Sequence, residues 1–266
     1  MVWIILKVKK FSQIMTLLSQ DNPYYKFSQI DETLDLEKYK SSITTFYVVK
    51  GKLEFDIDGQ NVEINSEEGL LVSSNCIINN LKKDDATIAF EVISQKKEED
   101  LIEFIDKENS IIEKNITSFK ILTNHKKVIK PWGHELWIVW LKDYHVLKKI
   151  YMKKDFKCSL QFHEKKYETN HLTFGKAKVL KNFHISPSST EEQAREKIKN
   201  IDLIKDYSQD IRAPYSFTNV PGEIHRVFSL EDYTAYEVST PELDDVVRIS
   251  DDNSRKSGRI SLEHKV

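Results

Sequence analysis

The sequence has little glycine, proline or cysteine, and each shortage excludes a class of protein. Its 266 residues include 7 glycines, 6 prolines and 2 cysteines. So little glycine and proline excludes a collagen-like repeat and a low-complexity chain. The two cysteines, Cys76 and Cys158, are too few for a disulfide framework, and neither belongs to a CxxC pair. We expect both to be free thiols in a reducing compartment.

The sequence also lacks an excess of charge and a long apolar run. There are 40 basic and 42 acidic residues, so composition predicts no nucleic-acid partner. No stretch reaches the roughly 18 apolar residues of a membrane span, and the apolar run 2–6 is too short for a signal-peptide core. We expect a cytoplasmic protein without a membrane partner. Met15 is an alternative start that the sequence leaves open.

Short strands dominate the first half of the chain. The runs alternate apolar and polar residues or are rich in β-branched and aromatic residues, and they are separated by turn signals such as Asp58-Gly59. They comprise residues 44–49, 53–57, 62–64, 70–72 and 86–92. Residues 96–107 then have apolar positions three and four apart, which predicts a short amphipathic helix between two halves.

The second half repeats the β pattern, with one interruption. Predicted strands comprise residues 135–140, 145–152, 159–163, 171–174, 178–180, 215–219 and 233–238. Ser189 to Glu192 has the form of a capping box, which predicts a helix over residues 193–204. This helical insertion (189–205) is either a lid or a packing element. We predict an all-β protein of two domains, 1–118 and 119–266, each a barrel or a sandwich, with a short helical linker and a helical insertion in the second.

One stretch of the second half carries candidate ligands. Side chains alternate between the two faces of a strand, so Gln161 and His163 lie on the same face. Glu168 follows five residues after His163, which is far enough for the chain to turn and return on the adjacent strand. Much later, a Pro-Gly turn precedes His225.

These residues resemble the two cupin motifs. The first motif is matched in spacing by Asp155, Gln161, His163, Glu168 and Gly175, and the second by Gly222 and His225, with Pro221 displaced by one residue. The resemblance implies two jelly-roll cupin barrels and one divalent metal, held by Gln161, His163, Glu168 and His225. The alternative is a cupin that has kept the spacing and lost the metal.

Two motif positions depart from the family. Asp155 replaces a glycine, and Gln161 replaces a histidine, which gives a donor set similar to the zinc set of type I phosphomannose isomerases. Zinc is therefore our first expectation, with Mn, Fe, Ni or Co as alternatives. In the first half the corresponding positions hold Glu37, Tyr39 and Thr44, and no histidine precedes His125. We expect the first barrel to be degenerate and without a metal site.

The second half has a narrower resemblance as well. From about Lys130 to Arg259 it is similar to the cupin domain of type II mannose-6-phosphate isomerases. The shared signals are Pro-Trp-Gly after Lys130, Ser-Leu-Gln ending at Gln161, Glu237-Val238, and Asp-Asp-Val-Val-Arg ending at Arg248. A run of histidines in that family is replaced here by His-Glu-Lys-Lys from His163, so the resemblance implies sugar chemistry without fixing the substrate.

The leading hypothesis is a metal-dependent isomerase or epimerase of a sugar phosphate or nucleotide-linked sugar. Candidate catalytic residues are Lys165 and Glu168, and Lys130, Arg226 and Arg248 are candidates for binding the substrate. Surface ion pairs, such as Arg248 with Asp244 or Asp245, are the alternative for the arginines. His134 and His145 are expected to pack or to lie at the surface.

Two other functions stay open. One is a non-catalytic sugar-binding cupin of polysaccharide biosynthesis. The other is a metal-dependent dioxygenase, against which the replacement of histidine by Gln161 argues. A homodimer is expected from the resemblance alone.

Overall fold

The computed structural model describes residues 19–30, 35–95, 104–105, 111–113, 118–258 and 260. They form two compact units. The first comprises the described residues up to His125 together with Ile138–His145, and the second comprises Lys126–Trp137 and the described residues from Val146 onward. The strand Phe119–Leu122, which the sequence analysis assigns to the second domain, pairs with Gly69–Val72 of the first unit.

The first unit is built from antiparallel strands. A six-stranded sheet has the order β1-β2-β8-β3-β6-β11, a three-stranded sheet has the order β5-β4-β7, and β9 pairs with β10. The strands are β1 (Ser19–Asp21), β2 (Lys26–Gln29), β3 (Ser42–Lys50), β4 (Lys52–Ile57), β5 (Gln60–Asn65), β6 (Gly69–Val72), β7 (Ile78–Lys83), β8 (Ile88–Gln95), β9 (Phe104–Ile105), β10 (Ile111–Glu113) and β11 (Phe119–Leu122). A 3₁₀ turn, Leu36–Tyr39, precedes β3.

Apolar side chains fill the first unit. Phe46, Leu53, Phe55 and Ile64 belong to one cluster of buried residues drawn from both sheets, and the rings of Phe46 and Phe55 lie 4.9 Å apart. The alternation along β4 and β5 turns every second residue toward this cluster.

Two further antiparallel sheets are built largely from the second unit. Their strand orders are β12-β13-β14-β21-β16-β19 and β18-β17-β20-β15-β22. The elements are β12 (Lys126–Lys130), β13 (Gly133–Trp140), β14 (Val146–Met152), β15 (Leu160–His163), β16 (Glu168–Phe174), β17 (Lys176–His184), α1 (Glu191–Ile198), α2 (Leu203–Tyr207), β18 (Ser208–Arg212), β19 (Tyr215–Asn219), β20 (Glu223–Ser229), β21 (Tyr233–Ser239) and β22 (Val246–Ser250).

The helical insertion packs on the five-stranded sheet. Phe162 of β15 and Ile224 of β20 lie in one buried cluster with Ala194 of α1 and Leu203 of α2. Because successive strand residues point to opposite faces, the neighbours of Phe162 and Ile224 point to the other face of this sheet. The insertion is thus a packing element, and it leaves the inner face of the sheet to other side chains.

Two helix predictions need correction. The capping box is formed by Thr190 and Gln193, one residue later than expected, and the helix breaks where Asp202 caps the next one. In the predicted linker helix, residues 96–103 and 106–107 lie outside the described residues, whereas Phe104–Ile105 is a strand paired with β10. Three apolar positions are too short a pattern to separate a helix from a strand of aromatic and β-branched residues.

His145 is buried in the first unit. Its Nε2 atom lies 2.9 Å from the Thr45 hydroxyl, and its Nδ1 atom lies 2.9 Å from the Ser94 hydroxyl. Burial lowers the pKa of the imidazole to about 3, because the charged form loses its hydration. The ring is therefore neutral in the folded protein over the whole physiological range.

This burial predicts an acid-dependent loss of stability. Below about pH 6.5 the His145 imidazole is protonated in the unfolded chain, whereas in the folded protein it stays neutral down to about pH 3. Over that window the free energy of unfolding therefore falls by at most about 1.4 kcal/mol per pH unit. In urea denaturation followed by circular dichroism, His145→Gln should be less stable than wild type at pH 7.5 and should lose less stability between pH 7 and pH 5. Equal losses in both proteins would contradict the assignment.

Candidate metal centre

Two neighbouring strands of the five-stranded sheet carry three of the predicted ligands. On β15, Leu160 and Phe162 point into the cluster beneath the helices, so Gln161 and His163 point to the inner face. The register pairs Gln161 directly with His225 of β20. The pairing therefore places residues 64 positions apart in sequence side by side.

The Pro-Gly turn fixes where β20 begins. The amide of Gly222 donates a hydrogen bond of 2.9 Å to the carbonyl of His163. Gly222 has a φ of 77°, and a Cβ atom there would lie 2.4 Å from the carbonyl oxygen of Ile185, so only glycine fits. At the first motif's glycine position, Asp155 adopts a φ of 65°, a conformation that aspartate tolerates better than most residues. The substitution thus preserves the turn.

Three potential ligand atoms converge on one point. Nε2 of His163 lies 3.6 Å from Oε2 of Glu168, and Nε2 of His225 lies 3.3 Å from Oε1 of the same carboxylate. One ligand atom from each of the three buried residues lies within 4.8 Å of the others. Bonds of about 2.0–2.2 Å to a shared ion produce separations of this size.

Hydrogen bonds on the far side of each ring orient both imidazoles. Nδ1 of His163 lies 2.8 Å from a carboxylate oxygen of Asp245, and Nδ1 of His225 lies 2.9 Å from the carbonyl oxygen of Glu223. Both partners accept hydrogen bonds, so each Nδ1 donates, and in the neutral ring each Nε2 keeps a lone pair. Both lone pairs face Glu168. Burial also lowers the pKa of His225, which favours its neutral form.

Glu168 is held at both oxygens. The Lys166 ammonium donates to Oε2 at 2.6 Å, and the Asn219 amide donates to Oε1 at 2.8 Å. Asn219 faces Glu168 because the two are register partners on β19 and β16. Burial raises the pKa of Glu168, but the charge and the hydrogen bond of Lys166 outweigh it and hold that pKa well below its usual range. The carboxylate is therefore ionised.

The donor set fits a divalent cation. Nε2 of His163 is buried and has no hydrogen-bond partner among the described residues, an arrangement that is costly unless another group takes up the lone pair. Two imidazoles and a carboxylate with hydrogen-bonded outer partners form a common binding set for Zn, Fe, Mn, Ni or Co. These three residues would hold the ion.

Gln161 stands beside this cluster. Its amide nitrogen lies 3.3 Å from Nε2 of His225, and its oxygen accepts a 2.5 Å hydrogen bond from the Ser159 hydroxyl. A hydroxyl both donates and accepts, so rotating the amide by half a turn would keep the bond to Ser159 and bring the oxygen toward the cluster. The role of Gln161 as a fourth ligand stays a prediction.

Comparisons with known proteins bear on the fold. Neither a protein-family model nor a curated protein matches the sequence. The structure is similar to oxalate decarboxylase of Bacillus subtilis, which has Mn(II) centres, with a TM-score of 0.52 and 8% identity over 87% of this chain and 77% of that one. For oxalate decarboxylase of Lactobacillus farciminis the TM-score is 0.51, with 8% identity over 87% of this chain and 86% of that one. For a mutant salicylate 1,2-dioxygenase of Pseudoaminobacter salicylatoxidans the TM-score is 0.50, with 8% identity over 89% of this chain and 82% of that one.

The chain has a bicupin fold. The prediction of an all-β protein of two cupin barrels is thereby confirmed. Identities this low show the fold and carry no activity over to this chain. No helix in the described part of the chain is long and apolar enough to cross a membrane.

A pocket in the second unit opens onto the His163–Glu168–His225 cluster. It encloses about 990 Å³ of empty space, part of it open to solvent. Paired charges form one wall. Glu135 lies 3.6 Å from both Lys130 and Lys148, Lys148 lies 3.7 Å from Glu237, and Glu237 accepts a 2.9 Å hydrogen bond from Lys166. This row, which we call the lysine–glutamate row, ends at Glu168.

Lys165 does not lie where the sequence analysis expects it. Strand β15 ends at His163 and the chain bends over the next two residues, so the alternation of faces stops there. Lys165 is exposed and is not among the residues that line the pocket, whereas Lys166 is buried and lines it. Lys165, a candidate catalytic residue from the sequence, would share the face of Gln161 and His163 only if β15 continued, and Lys166 lines the pocket instead.

The two arginines differ in their relation to the pocket. Arg226 follows His225 on β20 and points to the opposite face, where it donates to the carbonyl of Cys158 at 2.7 Å and to Asp252 at 3.0 Å. It does not line the pocket. Arg248 does line it, but its guanidinium donates to the carbonyls of Lys256 and, at 2.7 Å, Gly258. Of the predicted substrate-binding residues, Lys130 and Arg248 therefore line the pocket, and substrate binding by either stays a prediction.

Four residues that complete the site have no role in it predicted from the sequence. Asp245, Lys166, Asn219 and Glu237 contact a ligand or its immediate partner. Glu237 and Asp245 lie within the segments that carry the isomerase resemblance, which is a signal that could have singled them out. The contact of Asn219 with Glu168 follows only from the register of β16 with β19.

The geometry predicts one equivalent of a divalent metal per chain. Elemental analysis of protein purified without chelators should find it in wild type and in His184→Ala, an exposed histidine outside the pocket, and should find almost none in the double variant His163→Ala/His225→Ala. Losing two of three ligands removes most of the coordination energy. A wild-type protein that stays metal-free after incubation with Zn, Mn, Fe, Co and Ni would contradict the site.

Proposed function

We propose that the protein is a metal-dependent isomerase or epimerase acting on a sugar phosphate or nucleotide-linked sugar. The observation that carries the proposal is the position of the Lys166 ammonium, which touches the ligand Glu168 and lines the pocket. A fixed cation beside the ligand cluster suits a reaction in which negative charge develops on a substrate oxygen.

The chemistry of the pocket supports a polyhydroxylated substrate. The lysine–glutamate row alternates donors and acceptors, which is what several neighbouring hydroxyl groups require. Trp132 and Trp137 add aromatic surface to the same pocket. An apolar aromatic substrate would displace water from these charged side chains without replacing the lost hydrogen bonds, so the pocket suits such a substrate poorly. The wall of the pocket thus argues against the dioxygenase alternative.

Moving a carbonyl between adjacent carbons needs three contributions. A bound divalent cation supplies Lewis-acid polarisation of the carbonyl oxygen. Lys166 donates to that oxygen as charge develops on it. Burial lowers the pKa of Lys166, but the charges of Glu168 and Glu237 raise it by more, so this side chain remains an ammonium.

A carboxylate must also carry a proton between the two carbons. Glu168 is engaged at both oxygens and is a candidate ligand, so we assign this role to Glu237 rather than to Glu168. Glu237 accepts the proton from the carbon next to the carbonyl and returns it to the former carbonyl carbon, while the proton of the adjacent hydroxyl group moves to the former carbonyl oxygen. No proton is consumed, and returning the carbon-bound proton to the opposite face of the same carbon would instead give epimerisation.

Proton exchange at carbon tests the proposal directly. Metal-loaded protein is incubated in D₂O with a panel of aldose and ketose phosphates and nucleotide sugars, and deuterium at the carbon next to the carbonyl is followed by NMR. Wild type should incorporate deuterium into at least one sugar. Lys166→Met should lose on the order of 10²-fold or more in rate, whereas its exposed neighbour in the control variant Lys165→Met should stay within a few-fold.

Two outcomes would replace the proposal. Sugar binding by saturation-transfer NMR without any deuterium incorporation would favour the non-catalytic sugar-binding cupin. Oxygen consumption with an organic substrate by the iron-loaded protein would favour the dioxygenase. Equal rates in the two lysine variants would remove Lys166 from the mechanism.

A further inference from the structure

Asp245 is a carboxylate with two separate tasks. Its Oδ1 atom accepts a 2.8 Å hydrogen bond from Nδ1 of His163. Its Oδ2 atom accepts hydrogen bonds from the backbone amides of Lys165, at 2.7 Å, and Lys166, at 2.8 Å. The side chain is largely shielded, with 12% of its surface exposed. One side chain therefore contacts a candidate ligand and the bend that follows it.

Strand β22 brings Asp245 to this position. Val246, the first residue of β22, pairs with His163, the last residue of β15. Asp245 thus lies just beyond the end of the ladder, where β15 turns away and its next backbone amides have lost their strand partners. The carboxylate satisfies two of those amides, as a capping residue satisfies the free amides at the start of a helix.

We propose that Asp245 is a positioning residue that holds the metal ligand His163 and the cation Lys166 in one arrangement. The proposal rests on metal binding by His163, which the proposed function includes. Through Oδ1 it orients the imidazole and makes its Nε2 a better donor. Through Oδ2 it fixes the bend, which directs Lys166 inward and Lys165 outward.

The ionised state of Asp245 suits both tasks. A carboxylate accepts at both oxygens, and all three of its partners here are N–H donors. An asparagine has one oxygen and one NH₂ group, so it satisfies either His163 or the bend but not both. Asp245→Asn, which has nearly the same shape, therefore separates loss of the acceptor from loss of packing. The exposed Asp244 next to it provides a control with the same change of charge.

Metal affinity is the first readout. The apparent Kd for Co²⁺ or Zn²⁺ is measured by chelator competition for wild type, Asp245→Asn, Asp245→Ala and Asp244→Asn. We expect both Asp245 variants to bind about 10–100-fold more weakly and Asp244→Asn to stay close to wild type. The visible spectrum of the Co²⁺-loaded Asp245→Asn protein should also shift, because the imidazole loses its anionic partner.

Hydrogen–deuterium exchange of the metal-free proteins is the second readout. The amides of Lys165 and Lys166 should exchange faster in Asp245→Ala than in wild type and Asp244→Asn, with thermal denaturation confirming that each variant is folded. A wild type that binds no metal would defeat the proposed function and leave the exchange result to decide the role of Asp245 at the bend. A wild type that binds metal, with unchanged affinity and unchanged exchange in the Asp245 variants, would overturn this inference alone.

Discussion

The burial of the Glu168 carboxylate is the constraint on which the rest of the site depends. A charged group inside a barrel is tolerated only when partners replace the water it has lost. Here Lys166 and Asn219 each donate to a different oxygen, and the imidazoles of His163 and His225 face the same carboxylate. Each oxygen keeps a further lone pair, so a cation among these groups need not displace either donor.

Much of this arrangement could be predicted because it follows from local rules. The spacing of His163 and Glu168, and of Gly222 and His225, is set by a strand, a turn and a strand, each of which is legible in a short stretch of sequence. Period-two alternation and turn signals along both halves predict an all-β barrel or sandwich, and the resemblance to the cupin motifs implies the barrel. The two histidines and Glu168 accordingly lie together, and Gln161 lies next to them.

The positions of the remaining residues depend on where strands end and which strands pair. The alternation of apolar and polar residues does not predict either. Lys165 would face inward only if β15 continued, but the strand stops at His163. Arg226 was predictable as outward-facing from its position next to His225. The contact between Asp245 and His163 joins residues 82 positions apart and follows only from the register of β22 with β15. A single sequence contains no local signal for that register.

The placement of the arginines changes which cations can meet a substrate. Arg248 bonds the carbonyls of the segment that carries Gly258 along the pocket, and Arg226 bonds Asp252 on the opposite face. Both guanidinium groups thus serve the architecture, a task for which their fixed fork of donors suits them. Lys130 and Lys148 instead face Glu135 at 3.6 Å, longer than a direct hydrogen bond. If the proposed substrate carries a phosphate, these two lysines are therefore its candidate partners.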